Sequence, residues 1–339
     1  MYILRNAVEE DLDQILELSQ LKVFINLPSD RKVLEAKIDN SLRSFKNPSS
    51  QLEDNLYVFV LEDIDTHRIL GVSMIHGKHG TESEPHFYLT VSQENKYSES
   101  LNTGFIHGTL KFGYNPDGYT EIGGLILEPG HRGSPFKLGK ALSYARFLYI
   151  AQHQEEFTDE IHVELMPPFD SNGNSPLWEA IGRKFLNMDY TEADVLSRKN
   201  KEFILSLFPT GTIYETLLPL SARDSIGKVG KETMPVKKML ESIGFQYTNE
   251  VDPFDGGPHY RAKKENISLL KQATEYELEF EDVRGKNADE RKLFMVNMPH
   301  KDYQFYTTIL SARPDGKKLF VPQRFQAQCP TNKGTGFNY

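Results

Sequence analysis

The stretch Glu121–Phe147, EIGGLILEPGHRGSPFKLGKALSYARF, combines a glycine-bearing strand, a glycine-rich loop and the start of a helix. Gly123 and Gly124 lack a Cβ, so the backbone of the predicted strand stays accessible to a ligand. The unpaired N–H groups and the positive dipole end of a helix start favour an anion. This order predicts a pyrophosphate-binding segment. The simpler alternative is that the glycines only end the strand and begin the helix.

Two common nucleotide-binding motifs do not fit this segment. The kinase-type loop G-x-x-x-x-G-K-[ST] has four residues between its glycines, whereas five separate Gly133 from Gly139. Ala141 also stands where that loop carries a magnesium-binding hydroxyl. The dinucleotide fingerprint G-x-G-x-x-G is absent as well. The segment therefore points to a phosphate ligand that is held in another way.

Strands that alternate with helices must position this segment. Hydrophobic periodicity predicts an α/β chain with a mixed sheet. Strands are predicted at Tyr2–Val8, Leu56–Leu61, Arg68–Gly77, Glu121–Leu127, Ile161–Met166, Ile213–Leu218 and Phe245–Val251. Helices are predicted at Leu12–Leu18, Arg31–Phe45, Lys137–His153, Ser175–Phe185, Thr191–Leu207 and Pro235–Ile243. The polar interval Lys78–Gly118 predicts irregular strands and loops, and the alternation from about Thr274 predicts a C-terminal β region.

The composition argues against several classes of protein. The 339 residues carry 39 basic and 48 acidic side chains, and the net charge of −9 opposes binding to nucleic acid. Because no apolar run approaches the roughly 18 residues of a membrane helix, we expect a soluble protein without membrane contact. Met1–Asn6 lacks the pattern of a secretory signal, and the single Cys329 cannot form an internal disulfide. We therefore expect a cytoplasmic protein.

Several longer stretches are similar to bacterial arginine N-succinyltransferases, within the GNAT acyltransferase superfamily. They are YVFVLED at Tyr57–Asp63, SPLW at Ser175–Trp178, MDYTEAD at Met188–Asp194, IYETLL at Ile213–Leu218 and VDPFDGGP at Val251–Pro258. The resemblance implies an α/β (α+β) fold, with a GNAT-type mixed sheet flanked by helices and a C-terminal all-β subdomain. It implies an acyl-CoA-binding domain at residues 1–190, a second α/β segment completing the acceptor site at 191–273, and the β subdomain at 274–339.

The resemblance implies transfer of a succinyl group from succinyl-CoA to the α-amino group of arginine. In GNAT proteins the pantetheine arm pairs with the central strand as an added strand would. This implies that pantetheine contacts Leu125, Ile126 and Leu127. The pyrophosphate is then expected on the loop and helix start, at Lys137, Leu138, Gly139, Lys140 and Ala141. Succinyl-CoA enters as the acyl-donor substrate, and no metal or prosthetic group is expected.

Two residues depart from the family pattern. The superfamily loop begins with Arg or Gln where this chain has Phe136, so Arg132 or Lys137 is expected to substitute. The family's proton-transfer histidine lies in a segment that resembles Ile226–Pro235, IGKVGKETMP, and this chain has Gly230 there. Either another group moves the proton or the substrate differs.

Acidic and imidazole side chains are the candidates for the remaining chemistry. An amine nucleophile must lose a proton, so a carboxylate or imidazole within hydrogen-bond reach is expected. The catalytic candidates are Glu164, Asp189 and His86. A guanidinium favours carboxylates in bidentate geometry, so the acceptor-binding candidates are Asp194, Asp255 and Gly256 in the adjoining turn. For each carboxylate, the alternative is a solvated strand end or a capped turn.

The other histidines and the tryptophan carry weaker signals. His76, His79 and His86 lack a recognised metal-ligand spacing, so no metal site is predicted. Trp178 falls where GNAT enzymes usually have a general-acid tyrosine, but an indole cannot protonate a thiolate. We therefore expect Trp178 to pack in the core.

Other interpretations of the chain stay open. The same fold is compatible with another acceptor amine such as ornithine, or with a noncatalytic acyl-CoA-binding subunit. The expected partners are acyl-CoA and an amino acid, and the chain is expected to form a homo-oligomer or to pair with a paralogous subunit.

Overall fold

A computed structural model describes residues 1–21, 27–282 and 290–339. Its helices are α1 Leu12–Gln20, α2 Arg31–Lys46, α3 Leu138–Gln152, α4 Pro176–Ala180, α5 Gly182–Leu186, α6 Tyr190–Ser197, α7 Glu202–Leu207, α8 Leu220–Arg223, α9 Met234–Ser242 and α10 Ser268–Gln272. Its first ten strands are β1 Tyr2–Asn6, β2 Leu56–Asp63, β3 Arg68–His79, β4 His86–Ser98, β5 Thr103–Asn115, β6 Tyr119–Leu127, β7 Glu160–Glu164, β8 Ile213–Tyr214, β9 Gln246–Val251 and β10 Pro258–Lys263. The C-terminal strands are β11 Thr274–Glu281, β12 Lys292–Asn297, β13 Tyr306–Asp315, β14 Lys318–Pro322 and β15 Lys333–Asn338.

These elements form two compact units. The first unit comprises residues 1–78, 120–159 and 264–339, and the second comprises residues 79–119 and 160–263. Each unit is assembled from separate stretches of chain, whereas the predicted division at residues 190 and 273 is sequential. That three-part division stays a prediction. In the described ranges, no helix is long and apolar enough to cross a membrane.

The first unit contains neighbouring strands in the order β13, β1, β2, β3 and β6. Strand β1 lies antiparallel between β13 and β2. Helix α2 covers this sheet because its apolar residues recur at helical spacing. Leu34 and Ile38 of α2 belong to one core with Val58 and Val60 of β2.

The five C-terminal strands of the first unit close into a ring. Strand β12 pairs with β13 and β15, β11 pairs with β14 and β15, and β13 pairs with β14. Its core includes Leu278, Phe294, Val296, Leu310, Leu319 and Val321. Ring closure satisfies strand edges that would otherwise be open. The prediction of a C-terminal β region is confirmed.

The second unit contains strands in the order β7, β10, β9, β4, β5 and β8. Strands β7 and β10 are antiparallel, with His259 opposite Glu164 and Arg261 opposite His162. Residues two apart on a strand point to the same face. The pairing therefore places His162 and Glu164 of β7 on the same face of the sheet as His259 and Arg261 of β10. His162, Glu164 and His259 belong to the candidate site.

The structure differs from the sequence prediction between residues 78 and 118. Strands β4 and β5 form one regular hairpin, paired residue by residue from His86–Asn115 to Ser98–Thr103. Its outer half is exposed, including large apolar side chains such as Phe105. This outer half buries neither face and has no reason to alternate polar and apolar residues, so the period-two signal is missing there.

Three other predicted elements are shorter or divided. The helix predicted at Ser175–Phe185 is α4 followed by α5, and the one at Thr191–Leu207 is α6 followed by α7. Helix α7 starts anew because the Asn200 side chain accepts the N–H of Glu202. The strand predicted at Ile213–Leu218 shrinks to the two residues of β8.

Candidate active site

Strand β6 of the first unit carries the residues predicted to contact pantetheine. Ile126 is buried, and Leu125 and Leu127 on either side are half-buried. Gly124 has a φ of +58°, the left-handed conformation that favours glycine. The backbone is therefore irregular just before the three predicted contact residues, and such irregularities in strands are common next to active sites.

Arg146 of α3 holds this part of β6 from behind. Its guanidinium is 2% exposed, and Nη1 donates to the carbonyl oxygen of Gly123 at 3.2 Å. Its Nη2 donates to the hydroxyl of Ser143 at 2.8 Å. Burial lowers the pKa of Arg146 to about 9. The sequence prediction missed Arg146, although an arginine within an otherwise apolar helix was an available signal.

The start of α3 follows this strand and fits an anion. Among the described residues no side chain caps the helix, and Lys137 at the N-cap has a φ of 51°. The first-turn N–H groups have no partner within the helix. Leu138 and Ala141 are buried beneath this turn. A Cβ on Gly139 would have one neighbour within 4 Å, the Leu127 Cδ2 atom at 3.7 Å, so the turn is open at that point.

The cationic residues predicted to bind the pyrophosphate, Arg132, Lys137 and Lys140, lie at or near this helix start. Arg132 and Lys137 are exposed on the loop. The Lys140 ammonium lies 4.5 Å from the ring centre of Tyr339 and 4.9 Å from that of Tyr144. Burial and the nearby Lys137 charge lower the pKa of Lys140. Positive charge is therefore concentrated where the pyrophosphate was predicted.

The charges of Glu164 and Asp194 act on two further carboxylates of the second unit, Asp252 and Asp255. These four residues are here called the acid cluster. Burial, followed by the charge of Glu164, raises the pKa of Asp252 to about 7. Burial and the charge of Asp252 raise the pKa of Asp255 well above its ordinary value. Burial also raises the pKa of Asp194, although its ion pair with Arg198 opposes this shift.

The turn between β9 and β10 holds two of these carboxylates rigidly. Asp252 Oδ1 accepts the N–H groups of Phe254 at 2.7 Å and Asp255 at 2.9 Å. Asp255 Oδ1 accepts the N–H of Gly257 at 2.7 Å. Gly256 has a φ of +79°, which only glycine adopts easily. Backbone dipoles, not a cation, thus provide the main opposition to the mutual repulsion of these acids, and the arrangement favours a cationic ligand.

Three buried histidines surround the carboxylate of Glu164, and these four residues are here called the imidazole cluster. The Glu164 Oε1 atom lies 3.7 Å from His86 Nδ1, 3.6 Å from His162 Nε2 and 3.6 Å from His259 Nε2. The histidines are 2%, 1% and 0% exposed. Burial, reinforced by the other two histidines, lowers the pKa of His86 well below its ordinary value. The His86 ring is therefore neutral near pH 7 and presents a nitrogen lone pair.

The structure brings most predicted residues of the second unit together. Glu164 and His86 lie in the imidazole cluster, and Asp194 and Asp255 join Glu164 in the acid cluster, with Gly256 in the same turn as Asp255. Asp189 lies apart, with a side chain that is 68% exposed and ion-paired with Arg183. Its catalytic role stays a prediction.

Trp178 is fully buried, and its Nε1 atom donates to the carbonyl oxygen of Met188 at 3.0 Å. The expectation that it packs in the core is confirmed.

The sequence prediction missed Asp252, His162 and His259. The signal for His162 was its spacing in Ile-His-Val-Glu, which places it on the same strand face as Glu164. His259 belongs to β10, a strand that was not predicted, so nothing indicated which face it occupied.

Gly230 lies against the backbone that follows β7. Its N–H donates to the carbonyl oxygen of Met166 at 2.9 Å. A Cβ added at Gly230 would lie 2.9 Å from the carbonyl oxygen of Pro167. Any side chain at this position therefore requires the backbone to move.

Comparison with known proteins identifies the family. The family profile described as arginine N-succinyltransferase beta subunit matches residues 2–269. An arginine N-succinyltransferase of Yersinia enterocolitica is 32% identical over 286 residues, which cover 84% of this chain and 82% of that protein. One from Escherichia coli is 30% identical over 276 residues, which cover 80% of this chain and 79% of that protein. This chain belongs to the arginine N-succinyltransferase family.

A solved structure supports the same assignment. The structure of arginine/ornithine succinyltransferase subunit AI from Pseudomonas aeruginosa matches with a TM-score of 0.83 and 26% identity. The match covers 100% of this chain and 98% of that one. The predicted α/β GNAT-type fold with a C-terminal β region is thus confirmed, and this arginine N-succinyltransferase family member is an acyltransferase.

Proposed function

We propose that this chain transfers the succinyl group of succinyl-CoA to the α-amino group of arginine. The CoA moiety binds along β6 and the start of α3, and the acid cluster binds the guanidinium of the acceptor. Family membership supports the reaction class and an acyl-CoA donor. The separate concentrations of positive and negative charge support the assignment of the two substrates.

The reaction is a direct transfer. The acceptor nitrogen forms a bond to the thioester carbonyl carbon, the carbon–sulfur bond breaks, and the nitrogen loses a proton. CoA leaves as a thiolate that takes up a proton. Cys329 does not support a covalent acyl intermediate, because burial raises the pKa of its thiol and so disfavours the nucleophilic thiolate.

The acid cluster is the observation that carries the acceptor assignment. Holding buried carboxylates close together costs folding free energy, and a protein keeps such an arrangement where a ligand compensates it. A guanidinium supplies a permanent positive charge and planar N–H donors that match two carboxylate oxygens. Asp255 and Asp252 are fixed by backbone hydrogen bonds, so the site is preorganised for such a ligand.

An activity matrix of acyl-CoA donors against amines tests this proposal. Succinyl-CoA and acetyl-CoA would be combined with arginine, ornithine and norvaline, and kcat/KM measured for each pair. The proposal expects the highest value for succinyl-CoA with arginine. A chain that does not distinguish arginine from norvaline, which lacks the cation, would contradict the acceptor assignment.

The CoA site has its own test. Gly139→Asp places a negative charge at the helix start where phosphate oxygens are expected, so CoA affinity measured by calorimetry should fall at least about tenfold. Gly139→Ala adds only a methyl group at a position with an ordinary contact and should bind CoA nearly as well as wild type. Gly211→Asp, in open space on another loop, controls for the added charge. Unchanged affinity in folded Gly139→Asp would move the CoA site elsewhere.

Ornithine is the second candidate acceptor. The solved relative from Pseudomonas aeruginosa is named for arginine and ornithine together. An ammonium is a point charge that cannot bridge two carboxylates as a planar guanidinium does. Equal kcat/KM for ornithine and arginine in the same matrix would favour a site that recognises charge alone.

A noncatalytic role is the remaining alternative, and Gly230 in place of the family's histidine motivates it. The family profile and the solved relative are both named as subunits. Saturable CoA binding without turnover on any amine would favour a CoA-binding subunit.

A further inference from the structure

Three histidine rings and one carboxylate meet in the second unit with the spacing of a metal site. The ring centres of His86, His162 and His259 are separated by 4.7, 4.9 and 5.0 Å, so the three rings are almost equidistant. One ligand atom from each ring and one from Glu164 all lie within 4.8 Å of one another. The residues come from β4, β7 and β10, and burial keeps bulk water from the rings.

Hydrogen bonding does not explain this convergence. The three nitrogens approach one oxygen, Glu164 Oε1, at 3.6–3.7 Å, which is too long for a hydrogen bond. Among the described residues, neither ring nitrogen of His162 nor the Nε2 atom of His86 has a hydrogen-bond partner. Buried polar atoms without partners are rare in folded proteins and call for a ligand.

The distances suit a tetrahedral cation. Metal–nitrogen and metal–oxygen bonds of about 2.0–2.1 Å at tetrahedral angles separate neighbouring ligand atoms by about 3.4 Å. The three nitrogen–oxygen distances of 3.6–3.7 Å are slightly wider, and the four ligand atoms all lie within 4.8 Å of one another, so side-chain rotations would have to bring them closer around an ion.

We propose that His86, His162, Glu164 and His259 bind one divalent transition-metal ion of the zinc class. Neutral imidazoles and a carboxylate are ligands that zinc accepts readily. Four protein ligands fill a tetrahedral shell, as in structural sites, so the ion ties β4, β7 and β10 together. Coordination uses the lone pairs that a base would need, so it excludes Glu164 and His86 from proton transfer while the ion is bound. This proposal goes beyond the acyltransferase function. Because Glu164 also belongs to the acid cluster, acceptor recognition then depends on Asp194, Asp252 and Asp255.

The test measures metal binding by protein without a polyhistidine tag. Chelator-treated wild type would be titrated with Zn²⁺ by calorimetry, and its melting temperature followed with and without Zn²⁺. We expect one equivalent per chain and a higher melting temperature with the ion, because an ion that binds the folded state stabilises it. His162→Ala and Glu164→Gln should weaken binding by more than the roughly ten- to hundredfold that loss of an outer-shell partner costs.

The matched control is His153→Ala. His153 lies near Glu155 and Glu156 in the other group of potential ligands, which is more exposed and belongs to the first unit. This variant removes one imidazole elsewhere and should keep wild-type stoichiometry and affinity. Equal Zn²⁺ binding by His162→Ala and wild type, or loss of binding in His153→Ala alone, would place the ion outside the imidazole cluster and overturn the proposal.

A Co²⁺ spectrum needs no variant and covers the case in which the cluster variants do not fold. Four-coordinate Co²⁺ absorbs visible light strongly, whereas six-coordinate Co²⁺ absorbs weakly. The proposal expects the four-coordinate spectrum at one equivalent of Co²⁺, displaced by Zn²⁺. Absence of binding by wild-type protein, or a six-coordinate spectrum, would overturn it.

Discussion

Each unit contains a group of charged side chains with low exposure, and the two groups differ in how their charge is compensated. In the first unit Arg5 donates to both oxygens of Asp11 at 2.7 and 2.8 Å and to Glu62 at 2.6 Å. In the second unit the charges acting on Asp252 and Asp255 are mainly those of other carboxylates. The first group is compensated by its own arginine. The second is held in place by backbone N–H groups, and its raised pKa values mean that it takes up either protons or a cationic ligand.

The difference separates a structural role from a binding role. A buried arginine with bidentate and single contacts to two acids satisfies its donors within the fold. Acids that raise one another's pKa store unfavourable free energy in the unliganded protein, and binding of a cation releases it. Substitutions in the two groups should therefore change stability in opposite directions.

The largest expected effect is the loss of stability when Arg5 is removed from its ion pairs with Asp11 and Glu62. Arg5→Met leaves two buried carboxylates without their cation and should lower the free energy of unfolding by about 3–5 kcal/mol. Urea denaturation followed by circular dichroism measures it. The triple variant Arg5→Met, Asp11→Asn and Glu62→Gln removes all three charges and should recover most of the loss. If the single and triple variants were equally unstable, the cost would come from packing and not from unpaired charge.

The next effect concerns the acceptor. Asp255→Asn keeps an oxygen for the Gly257 N–H but removes the charge, so the loss for arginine should be about 2 kcal/mol, roughly 30-fold in kcat/KM. Norvaline lacks the guanidinium and should be affected much less. Asp189→Asn is the control, because Asp189 lies outside the acid cluster. A ratio of arginine to norvaline that stays the same in Asp255→Asn would remove this carboxylate from the acceptor site.

These carboxylates show how far the sequence could lead. Asp194 and Asp255 were predictable because each lies in a stretch that resembles the family, and Glu164 because it lies on the strand that follows the predicted cofactor helix. Asp252, in the same turn as Asp255, was missed because a carboxylate at a strand end is more often solvated. Burial and the carboxylates of Glu164 on β7 and Asp194 on α6 raise its pKa, and no local pattern encodes that convergence.

The histidines of the imidazole cluster show why metal ligands could not be predicted from spacing along the chain. The spacing of His76, His79 and His86 along the chain was considered, but the imidazole cluster takes one histidine each from β4, β7 and β10. Only the antiparallel pairing of β7 with β10 sets His259 opposite Glu164. Because β10 was not predicted, the pairing of His259 with Glu164 could not be predicted either. The fold was easier to predict, since helices α1 and α2 bury one regular face and strands β2 and β3 are nearly continuous apolar runs.

A smaller effect is expected on the pH dependence of the free energy of unfolding, through Asp252 of the acid cluster. The pKa of Asp252 is raised to about 7, above its value of about 3.9 in an unfolded chain, so the folded state holds its proton more tightly. This contribution to stability is complete below about pH 4 and is lost as the pH rises through about 7. Asp252→Asn has no carboxyl group to ionise, so its free energy of unfolding should not fall over this pH range. It should be more stable than wild type by about 1 kcal/mol at pH 8, with little difference at pH 4.

Fluorescence of Trp178 measures this change within the second unit, because it is the single tryptophan of the chain and packs on Phe254. Asp39→Asn, the same substitution on an exposed helix face, serves as the control and should show no gain with pH. An Asp252→Asn variant whose advantage is equal at pH 4 and pH 8 would show that the carboxylate is not under electrostatic strain.

The smallest expected effect is at Gly230, where we predict that a histidine brings no gain. An imidazole at this position needs a Cβ 2.9 Å from the Pro167 carbonyl oxygen, so the backbone after β7 must shift before the ring reaches any substrate. Turnover of arginine by Gly230→His should therefore equal or fall below that of wild type, and Gly230→Ala, which carries the same Cβ without the ring, should match it. If Gly230→His instead exceeds both proteins about tenfold, equivalent to about 1.4 kcal/mol in the barrier, the second unit lacks only its proton-transfer group. The chain would then be a succinyltransferase whose acid cluster still binds the acceptor.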